Sequence, residues 1–269
     1  MALPTVSIGP LQISRLILGG NPFSGFSHQS PAEDEAMRHY YTATRIKAEL
    51  ARAERLGITT HIGRADHHIM RLLLEYWDEG GDIQWMAQTC PELGPTMRGV
   101  ENARRGGAQA CYVHGGRMDW LLANDETDEA VEAVAAIRSA GLPAGIAGHN
   151  PVVFDWAEAN LDCDFYMCCY YNPSDRSTVA QHDPNRTEWF TEEARQKMVA
   201  RIATLRRPVI HYKIFAAGRN DPREAFAFAA RHLRPQDAIC IGVCSAAKPD
   251  MLDEDVRLFE EAMAAVAAG

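Results

Sequence analysis

The fold is indicated by a pattern that is clearest in residues 208–233, PVIHYKIFAAGRNDPREAFAFAARHL. Residues 208–213 form a short apolar run with β-branched and aromatic side chains, and residues 222–233 have the apolar spacing of a helix. Eight such units follow one another in 269 residues without an intervening linker. Because repeated strand–helix units build a parallel sheet covered by helices, the sequence predicts one (β/α)8 TIM barrel domain over residues 1–269, rather than an open doubly wound sheet.

Each predicted strand is followed by a predicted helix, and the first connection is unusually long. Strands are expected at residues 15–19, 58–63, 83–88, 109–114, 144–147, 164–169, 208–213 and 238–242. Helices are expected at residues 43–55, 69–77, 97–105, 126–139, 152–160, 191–205, 222–233 and 251–267. Residues 20–42 contain Gly, Pro, Ser and His and exceed the usual loop length of a compact domain, so we predict that they form a lid.

Composition excludes several classes of protein. The formal net charge is −9 and the basic residues occur at most in short runs such as Arg206-Arg207, so neither a nucleic acid nor an anionic membrane is an expected partner. The N-terminus lacks the pattern of a secretory signal and no long apolar stretch occurs, which predicts a cytoplasmic protein. The seven cysteines are expected to be reduced. The expected partner is a small-molecule substrate, and homo-oligomer formation stays open.

Polar side chains gather at the predicted strand ends, where a barrel carries its chemistry. They include Asn21, Arg64, Gln88, Tyr170, Asn172 and three histidines, His114, His149 and His211. Imidazoles on rigid strands can bind Zn²⁺, Mn²⁺ or Fe²⁺, usually with a carboxylate such as Asp66 or Glu92. The sequence has no compact metal-binding motif, so hydrogen-bonded histidines that act as acids or bases are the alternative interpretation.

The seventh predicted strand carries a lysine at its end. Side chains alternate along a strand, so we expect Val209, His211 and Lys213 to face the barrel interior and the intervening residues to face the helices. A lysine at the mouth can anchor a phosphate or carboxylate, or polarise a carbonyl. With a lowered pKa it can also form a Schiff base, and the remaining interpretation is a solvated or structural lysine.

Four further residues are candidates for catalysis or substrate binding, and two of them also have a structural interpretation. Asp66 is either a catalytic acid or the N-cap of the following helix. Arg64 can bind a substrate oxyanion through its planar guanidinium group. Tyr170 can offer a ring and a phenol to a substrate, whereas Asn172 either binds a hydroxyl or sets a turn before proline.

Five short segments share their pattern with one family of barrel enzymes. They are Leu18-Gly19-Gly20, Gly57-Ile58-Thr59 with Ala65, Tyr171-Asn172-Pro173, Tyr212-Lys213-Ile214-Phe215-Ala216-Ala217-Gly218 and Ile241-Gly242-Val243. In these five segments the chain resembles the aldo/keto reductases, as a distant relative of that family would. The resemblance implies a barrel fold, and it implies that residues 212–218 wrap the pyrophosphate of a nicotinamide dinucleotide.

The chain departs from that family at the catalytic positions. The resemblance implies a tetrad of tyrosine, lysine, aspartate and histidine, and His114 alone matches it. The other three positions fall near His68, at Gln88 or Thr89, and near Gly63. Residues that would hold the nicotinamide amide are replaced by Ala147-Gly148 and Cys168, and the loop after the eighth strand has only one lysine, Lys248, for the adenosine phosphate.

These departures favour non-redox chemistry. We expect a lyase or isomerase that acts on a polyhydroxylated carbonyl compound such as a keto-sugar, by proton abstraction next to the carbonyl. His114 or His211 would be the base, and Lys213 or a divalent metal would stabilise the oxyanion. Arg64, Asn21, Gln88, Tyr170 and Asn172 would bind the substrate.

Two alternatives remain at this stage. The first is an NADPH-dependent aldo/keto reductase with a rearranged site, in which Tyr170, Tyr171 or His68 is the acid. The second is a non-catalytic barrel that binds a ligand.

Overall fold

Ten strands form a hairpin and a closed barrel in the computed structural model, which describes residues 3–181, 183, 185 and 187–268. The hairpin pairs β1 (Thr5–Ile8) with β2 (Leu11–Ser14) in antiparallel register. The barrel strands are β3 (Leu16–Gly19), β4 (Thr60–Arg64), β5 (Gln84–Gln88), β6 (Ala110–Val113), β7 (Ala144–Gly148), β8 (Phe165–Cys169), β9 (Val209–Tyr212) and β10 (Ala238–Gly242). They are all parallel and follow chain order around the barrel, with β10 closing on β3. The predicted (β/α)8 TIM barrel is confirmed. Residues 1, 2, 182, 184, 186 and 269 of the predicted domain lie outside the described residues.

Ten α-helices surround the barrel in the described residues. They are α1 (Pro31–Tyr40), α2 (Ala43–Arg55), α3 (His67–Asp78), α4 (Thr96–Arg105), α5 (Gly115–Ala123), α6 (Asp128–Ser139), α7 (Pro151–Asn160), α8 (Glu192–Ile202), α9 (Pro222–His232) and α10 (Met251–Ala268). Several begin at capping side chains that satisfy a free backbone N–H: Thr42 caps α2, Asp66 caps α3 and Asp221 caps α9. None of the described helices is both long and apolar enough to span a bilayer.

Three elements were not expected from the sequence. The hairpin packs Val6, Ile8 and Ile13 against apolar side chains inside the barrel, and thereby covers the end at which the strands begin. Helix α1 lies within residues 20–42, the long connection that is predicted to form a lid and for which no helix was expected. Helix α5 begins directly after β6, because Gly115 and Gly116 allow a close approach of the chain to Tyr212 and to the Ala180 carbonyl.

A buried carboxylate, Asp237, joins the last strands of the barrel. It accepts hydrogen bonds from the Val209 backbone N–H at 2.8 Å and from the Arg234 guanidinium at 2.7 Å. His211 Nε2 lies 3.3 Å from its Oδ2, and the Tyr170 hydroxyl lies 2.9 Å from His211 Nδ1. Burial opposes ionisation of Asp237, but the hydrogen bonds from His211 and Arg234 outweigh it and lower the pKa of this carboxyl.

The same contacts show that the predicted orientation of β9 is wrong. Ile210 and Tyr212 pack with the apolar residues inside the barrel, whereas His211 faces outward, where its partner Tyr170 contacts Phe228 of α9. His211 therefore satisfies a buried structural network and does not face the barrel mouth. Lys213 still reaches the mouth, because its left-handed backbone (φ 57°) interrupts the alternation of the strand.

We predict that Asp237→Ala lowers the free energy of unfolding by about 3–5 kcal/mol, because it removes the carboxylate that pairs with Arg234 and leaves the buried Val209 N–H and His211 Nε2 without their partner. Asp162→Ala is the control, since its carboxylate is 65% exposed and bridges Arg138 and Arg207 at the surface. That change should cost about 0–1 kcal/mol. Urea unfolding measures both, and equal effects would contradict the assignment of Asp237 as the key buried contact.

Candidate active site

A cavity of about 830 Å³ opens at the carboxyl ends of the barrel strands. Its floor is formed by strand-end residues that include Gly19, Ile62, Gln88, Tyr112, Met167, Tyr212 and Ile241. From there it continues along residues 213–218 to the beginnings of α9 and α10, where Arg223, Lys248, Met251 and Asp255 line it. The cavity is therefore elongated, with a polar mouth over the barrel and a second end against α10.

Residues from the long first connection form one wall of this cavity. Asn21 lines it as predicted, and its Nδ2 lies 3.4 Å from His28 Nε2. His28 Nδ1 lies 3.0 Å from the Glu188 carboxylate, and its carbonyl accepts from Arg219. These contacts attach the first connection to the loops after β8 and β9.

A chain of three side chains, Asp119, His149 and Tyr212, leads from α5 into the cavity. Asp119 Oδ2 lies 2.6 Å from His149 Nδ1, and its other oxygen accepts from the backbone N–H groups of His149 and Asn150. A carboxylate accepts hydrogen bonds, so Nδ1 carries the proton and Nε2 is left as the acceptor. The Tyr212 hydroxyl lies 3.3 Å from that Nε2, and Tyr212 is one of the residues that line the cavity.

The protonation states along this chain follow from burial. Burial lowers the pKa of His149, and Asp119 opposes this only in part, so the imidazole is neutral at neutral pH. Burial raises the pKa of the Tyr212 phenol well above its ordinary value. Tyr212 is therefore a protonated phenol hydrogen-bonded to a neutral imidazole, an arrangement that can give or take a proton at the cavity surface.

Lys213 follows Tyr212 in the sequence and lines the same cavity. Its Nζ lies 3.5 Å from His28 Nδ1, and it forms no ion pair within the described part of the chain. Burial lowers the pKa of the Lys213 ammonium. An amine in such a position can attract an anionic group or stabilise a developing oxyanion.

The loop after β9 has a strained backbone. Lys213, Ala216 and Ala217 have left-handed φ values of 57°, 49° and 55°, and Gly218 follows at 82°. The left-handed conformation costs a non-glycine residue about 1–2 kcal/mol. Backbone strain of this kind is concentrated at ligand-binding and catalytic segments, and successive turned peptide units can direct N–H groups toward an anion.

His114 lies at the end of β6 and begins α5, and its backbone N–H donates to Thr89 Oγ1. Its Nδ1 is buried and has no hydrogen-bond partner in the described residues. Burial, supported by the positive charges of Arg176 and Arg64, keeps the pKa of His114 well below 6.5. His114 is thus a neutral base with one unused nitrogen.

The other predicted site residues divide into two groups. Arg64 and Gln88 line the cavity, although Arg64 is already engaged by Asp66 at 2.8 Å and by Glu92. Asp66 accepts from the Ile69 backbone N–H as the N-cap of α3, which favours its structural interpretation. Tyr170 and Asn172 do not line the cavity: Tyr170 is buried outside the barrel and Asn172 is exposed.

The predicted metal site of three histidines does not form. His211 points away from the mouth to Asp237, and His149 is held by Asp119 and Tyr212. Within residues 3–181, 183, 185 and 187–268, no three His, Cys, Asp or Glu side chains are placed to share a metal ion.

All seven cysteines are free thiols.

Three residues of the cavity region were missed by the sequence analysis. Asp119 lies in α5, which was not predicted, and Tyr212 was assigned to the wrong face of β9. Asp255 lies in α10 and is only 2% exposed, and its Oδ2 has no hydrogen-bond partner in the described residues. The sequence signal for Asp255 was its place in line with Met251 and Leu258 on the apolar face of the helix.

Burial, supported by Glu254, raises the pKa of Asp255 to about 7. The folded protein then keeps a proton that the unfolded chain releases above about pH 4, so this residue makes stability fall as the pH rises to about 7. We predict that Asp255→Asn removes this part of the fall. Thermal unfolding across that range measures it, and an unchanged pH dependence in the variant would contradict the burial of an unpaired carboxyl.

No protein-family model matches the chain, and a search of curated proteins gave no match. Solved structures do resemble it. A Pseudomonas aeruginosa protein provisionally named an aldo-keto reductase is 18% identical, with a TM-score of 0.65 over 98% of this chain and 95% of that one. The holo form of an aldo-keto reductase from Bacillus halodurans is 14% identical, with a TM-score of 0.62 over 97% of this chain and 91% of that one.

A truncated 3-deoxy-D-arabino-heptulosonate 7-phosphate synthase from Thermotoga maritima is also similar, with 12% identity and a TM-score of 0.53 over 99% of this chain and 92% of that one. Identities this low establish fold and not activity. The chain therefore has the same barrel fold as these aldo-keto reductase structures.

Proposed function

We propose that the protein is a reductase of carbonyl compounds that uses a reduced nicotinamide dinucleotide. The observation that carries this proposal is the Asp119–His149–Tyr212 chain, which ends in a phenol at the surface of an elongated cavity. Similarity in fold to aldo-keto reductases adds support. The first expectation from the sequence, a non-redox lyase or isomerase, becomes the second candidate.

The cavity residues fit a dinucleotide in three respects. The volume of about 830 Å³ lies within the range of small-molecule and cofactor sites. The strained loop at residues 213–218 runs along the cavity between its two ends and would hold the pyrophosphate, with Lys213 as a cation. The dinucleotide, when bound, supplies a hydride to the carbonyl carbon.

Tyr212 would deliver the proton to the carbonyl oxygen. Tyr212 is the one residue of the Asp119–His149–Tyr212 chain that lines the cavity. Once its proton has gone to the carbonyl oxygen, Tyr212 is left as a phenolate that takes a proton back from solvent. Asp119 holds His149 with Nε2 toward the Tyr212 oxygen, so His149 would position this hydroxyl. Lys213 would lower the energy of the developing oxyanion.

The substrate would be a carbonyl compound with several hydroxyl groups. Gln88, Asn21 and Arg64 line the cavity near the mouth and offer amide and guanidinium groups that pair with hydroxyls. Met167 and Ile62 supply apolar surface between them. A keto-sugar has this combination of a carbonyl and hydroxyls.

We expect Tyr212→Phe to lower kcat for carbonyl reduction by about 10²–10⁴-fold, because it removes the proton donor and leaves the ring in place. Tyr170→Phe is the matched control: it also removes a phenol bonded to histidine, but this one lies outside the barrel. Oxidation of the reduced nicotinamide in a panel of sugars and small aldehydes measures both variants. Equal rates for Tyr212→Phe and the wild type would refute the assigned role, and dinucleotide binding without any turnover would favour a non-catalytic barrel.

The second candidate is a lyase or isomerase that abstracts a proton next to a carbonyl. It is favoured by one observation: the buried Nδ1 of His114 has no hydrogen-bond partner in the described residues, and its imidazole is neutral. In this reaction His114 would take the proton and Lys213 would stabilise the enolate.

This candidate predicts turnover of a keto-sugar without any nicotinamide. His114→Ala would then lower kcat by about 10²-fold or more, whereas Tyr212→Phe would have a smaller effect. Solvent deuterium incorporated into the substrate, followed by NMR, is the measurement. Reduction that requires a dinucleotide, with no deuterium wash-in, would exclude it.

A further inference from the structure

Two polar side chains lie next to each other on the inner wall of the barrel, Gln88 at the end of β5 and Tyr112 in β6. Their Cα atoms are register partners, as are those of Met86 and Ala110 two positions earlier. Met86, Ala110 and Tyr112 belong to the apolar cluster inside the barrel, so Gln88 faces inward with Met86. Gln88 and Tyr112 both line the cavity. The wall therefore carries an amide and a phenol on adjacent strands, whose backbones are about 4.8 Å apart.

The Tyr112 hydroxyl has no protein partner. It forms no hydrogen bond with any described residue, although Tyr112 is only 1% exposed. Seven enclosed side-chain polar atoms lack a partner in the described residues, and the Tyr112 oxygen is not one of them. An oxygen that is neither bonded nor enclosed is in contact with the cavity that its residue lines. Because a buried phenol normally has a partner, this oxygen indicates a polar group that enters the cavity.

The Tyr112 phenol lies deep in the barrel and stays protonated. Tyr112 belongs to the interior cluster, whereas Tyr212 only packs against it, so Tyr112 lies deeper than the proposed proton donor. Burial raises the pKa of Tyr112 well above its ordinary value, and Cys240 of the opposite strand β10 adds to this shift. Tyr112 thus offers a neutral hydroxyl that can both donate and accept a hydrogen bond.

The Gln88 amide is available in the same way. Gln88 is half-buried, and its side chain forms no hydrogen bond with a described residue. Arg64 on the next strand is engaged by Asp66 and Glu92. An amide offers two donors and an acceptor, so Gln88 and Tyr112 together can pair with two hydroxyl groups at once.

We propose that Gln88 and Tyr112 form a diol subsite, which binds two hydroxyl groups on neighbouring carbon atoms of the substrate and selects such compounds over alkyl compounds of the same length. The inference rests on the proposed function, which places the carbonyl at Tyr212. The hydroxylated part of the substrate then enters the barrel beside Tyr112, and Met167 contacts its carbon atoms. A site built to hydrogen-bond hydroxyl groups disfavours an analogue that lacks them.

Reduction of glyceraldehyde and of propanal measures this selection, because both have three carbon atoms and only glyceraldehyde carries neighbouring hydroxyl groups. In the wild type, kcat/KM should be at least about tenfold higher for glyceraldehyde. Tyr112→Phe and Gln88→Leu should each lower the ratio of the two values by about 3–10-fold, mainly through KM for glyceraldehyde. The double variant should lose most of the preference.

Tyr166→Phe is the matched control. It removes a phenol that is also 1% exposed, but the Tyr166 ring packs against Phe154 outside the barrel. This variant should keep the wild-type ratio. Thermal unfolding checks the fold: Tyr112→Phe should unfold at the wild-type temperature, because the hydroxyl that it removes has no partner in the described residues.

Binding of xylitol, followed by saturation-transfer NMR, tests the diol subsite without a dinucleotide or turnover. Xylitol carries hydroxyl groups on neighbouring carbon atoms, so its signal should appear with the wild type and with Tyr166→Phe. It should be lost with the Tyr112→Phe/Gln88→Leu double variant. The signal of 1-pentanol, which has the same number of carbon atoms, should persist in all three proteins.

The outcomes separate the two proposals. If neither aldehyde is reduced but xylitol binding requires Gln88 and Tyr112, the reductase function fails and the diol subsite stands. If the aldehydes are reduced and the double variant keeps the wild-type ratio, only the diol subsite is overturned. Equal xylitol binding by the wild type and the double variant would also overturn it.

Discussion

The structure of the site depends on the buried carboxylate of Asp237. Because Asp237 holds His211 on the outer face of β9, the neighbouring Tyr212 must point into the barrel. Arg234 and the Val209 backbone N–H complete the coordination of the carboxylate and fix β9 against β10. An interaction outside the barrel thus determines which side chain reaches the cavity.

The barrel contains two chains of the same three residue types, and their surroundings give them different roles. Asp237, His211 and Tyr170 are enclosed between the strands and α9, so every polar atom serves packing and hydrogen bonding. Asp119, His149 and Tyr212 use the same chemistry but end at the cavity. Residue types alone therefore cannot separate a catalytic group from a structural one, whereas access to a cavity can.

The fold could be predicted because a repeated strand–helix pattern leaves few alternatives. The helices that follow the strands were found, but α5 was missed, since its first turn is Gly115-Gly116-Arg117 and reads as a loop. Because α5 was not predicted, the sequence analysis did not identify Asp119 as a site residue. Residues at strand ends such as Gln88 line the cavity, because the carboxyl ends of all the barrel strands meet at the mouth.

The orientation of β9 could not be predicted from alternation. The apolar face with Ile210, Tyr212 and Ile214 was expected to meet the helices, and regular alternation then placed His211 and Lys213 inside. The left-handed backbone at Lys213 breaks that regularity, and the partner that draws His211 outward, Asp237, is distant in sequence. Asp255 was missed for a related reason: its missing partner is evident only when the packing around α10 is known.

The central claim is that the elongated cavity binds a nicotinamide dinucleotide, and amide hydrogen exchange of the protein with and without saturating NADH tests it most directly. We predict slower exchange at residues 213–220 and at the first turns of α10, where the cavity is lined, with unchanged exchange in the β1–β2 hairpin at the opposite end of the barrel. Exchange that is unchanged along the cavity, or slowed equally in the hairpin, would contradict the account.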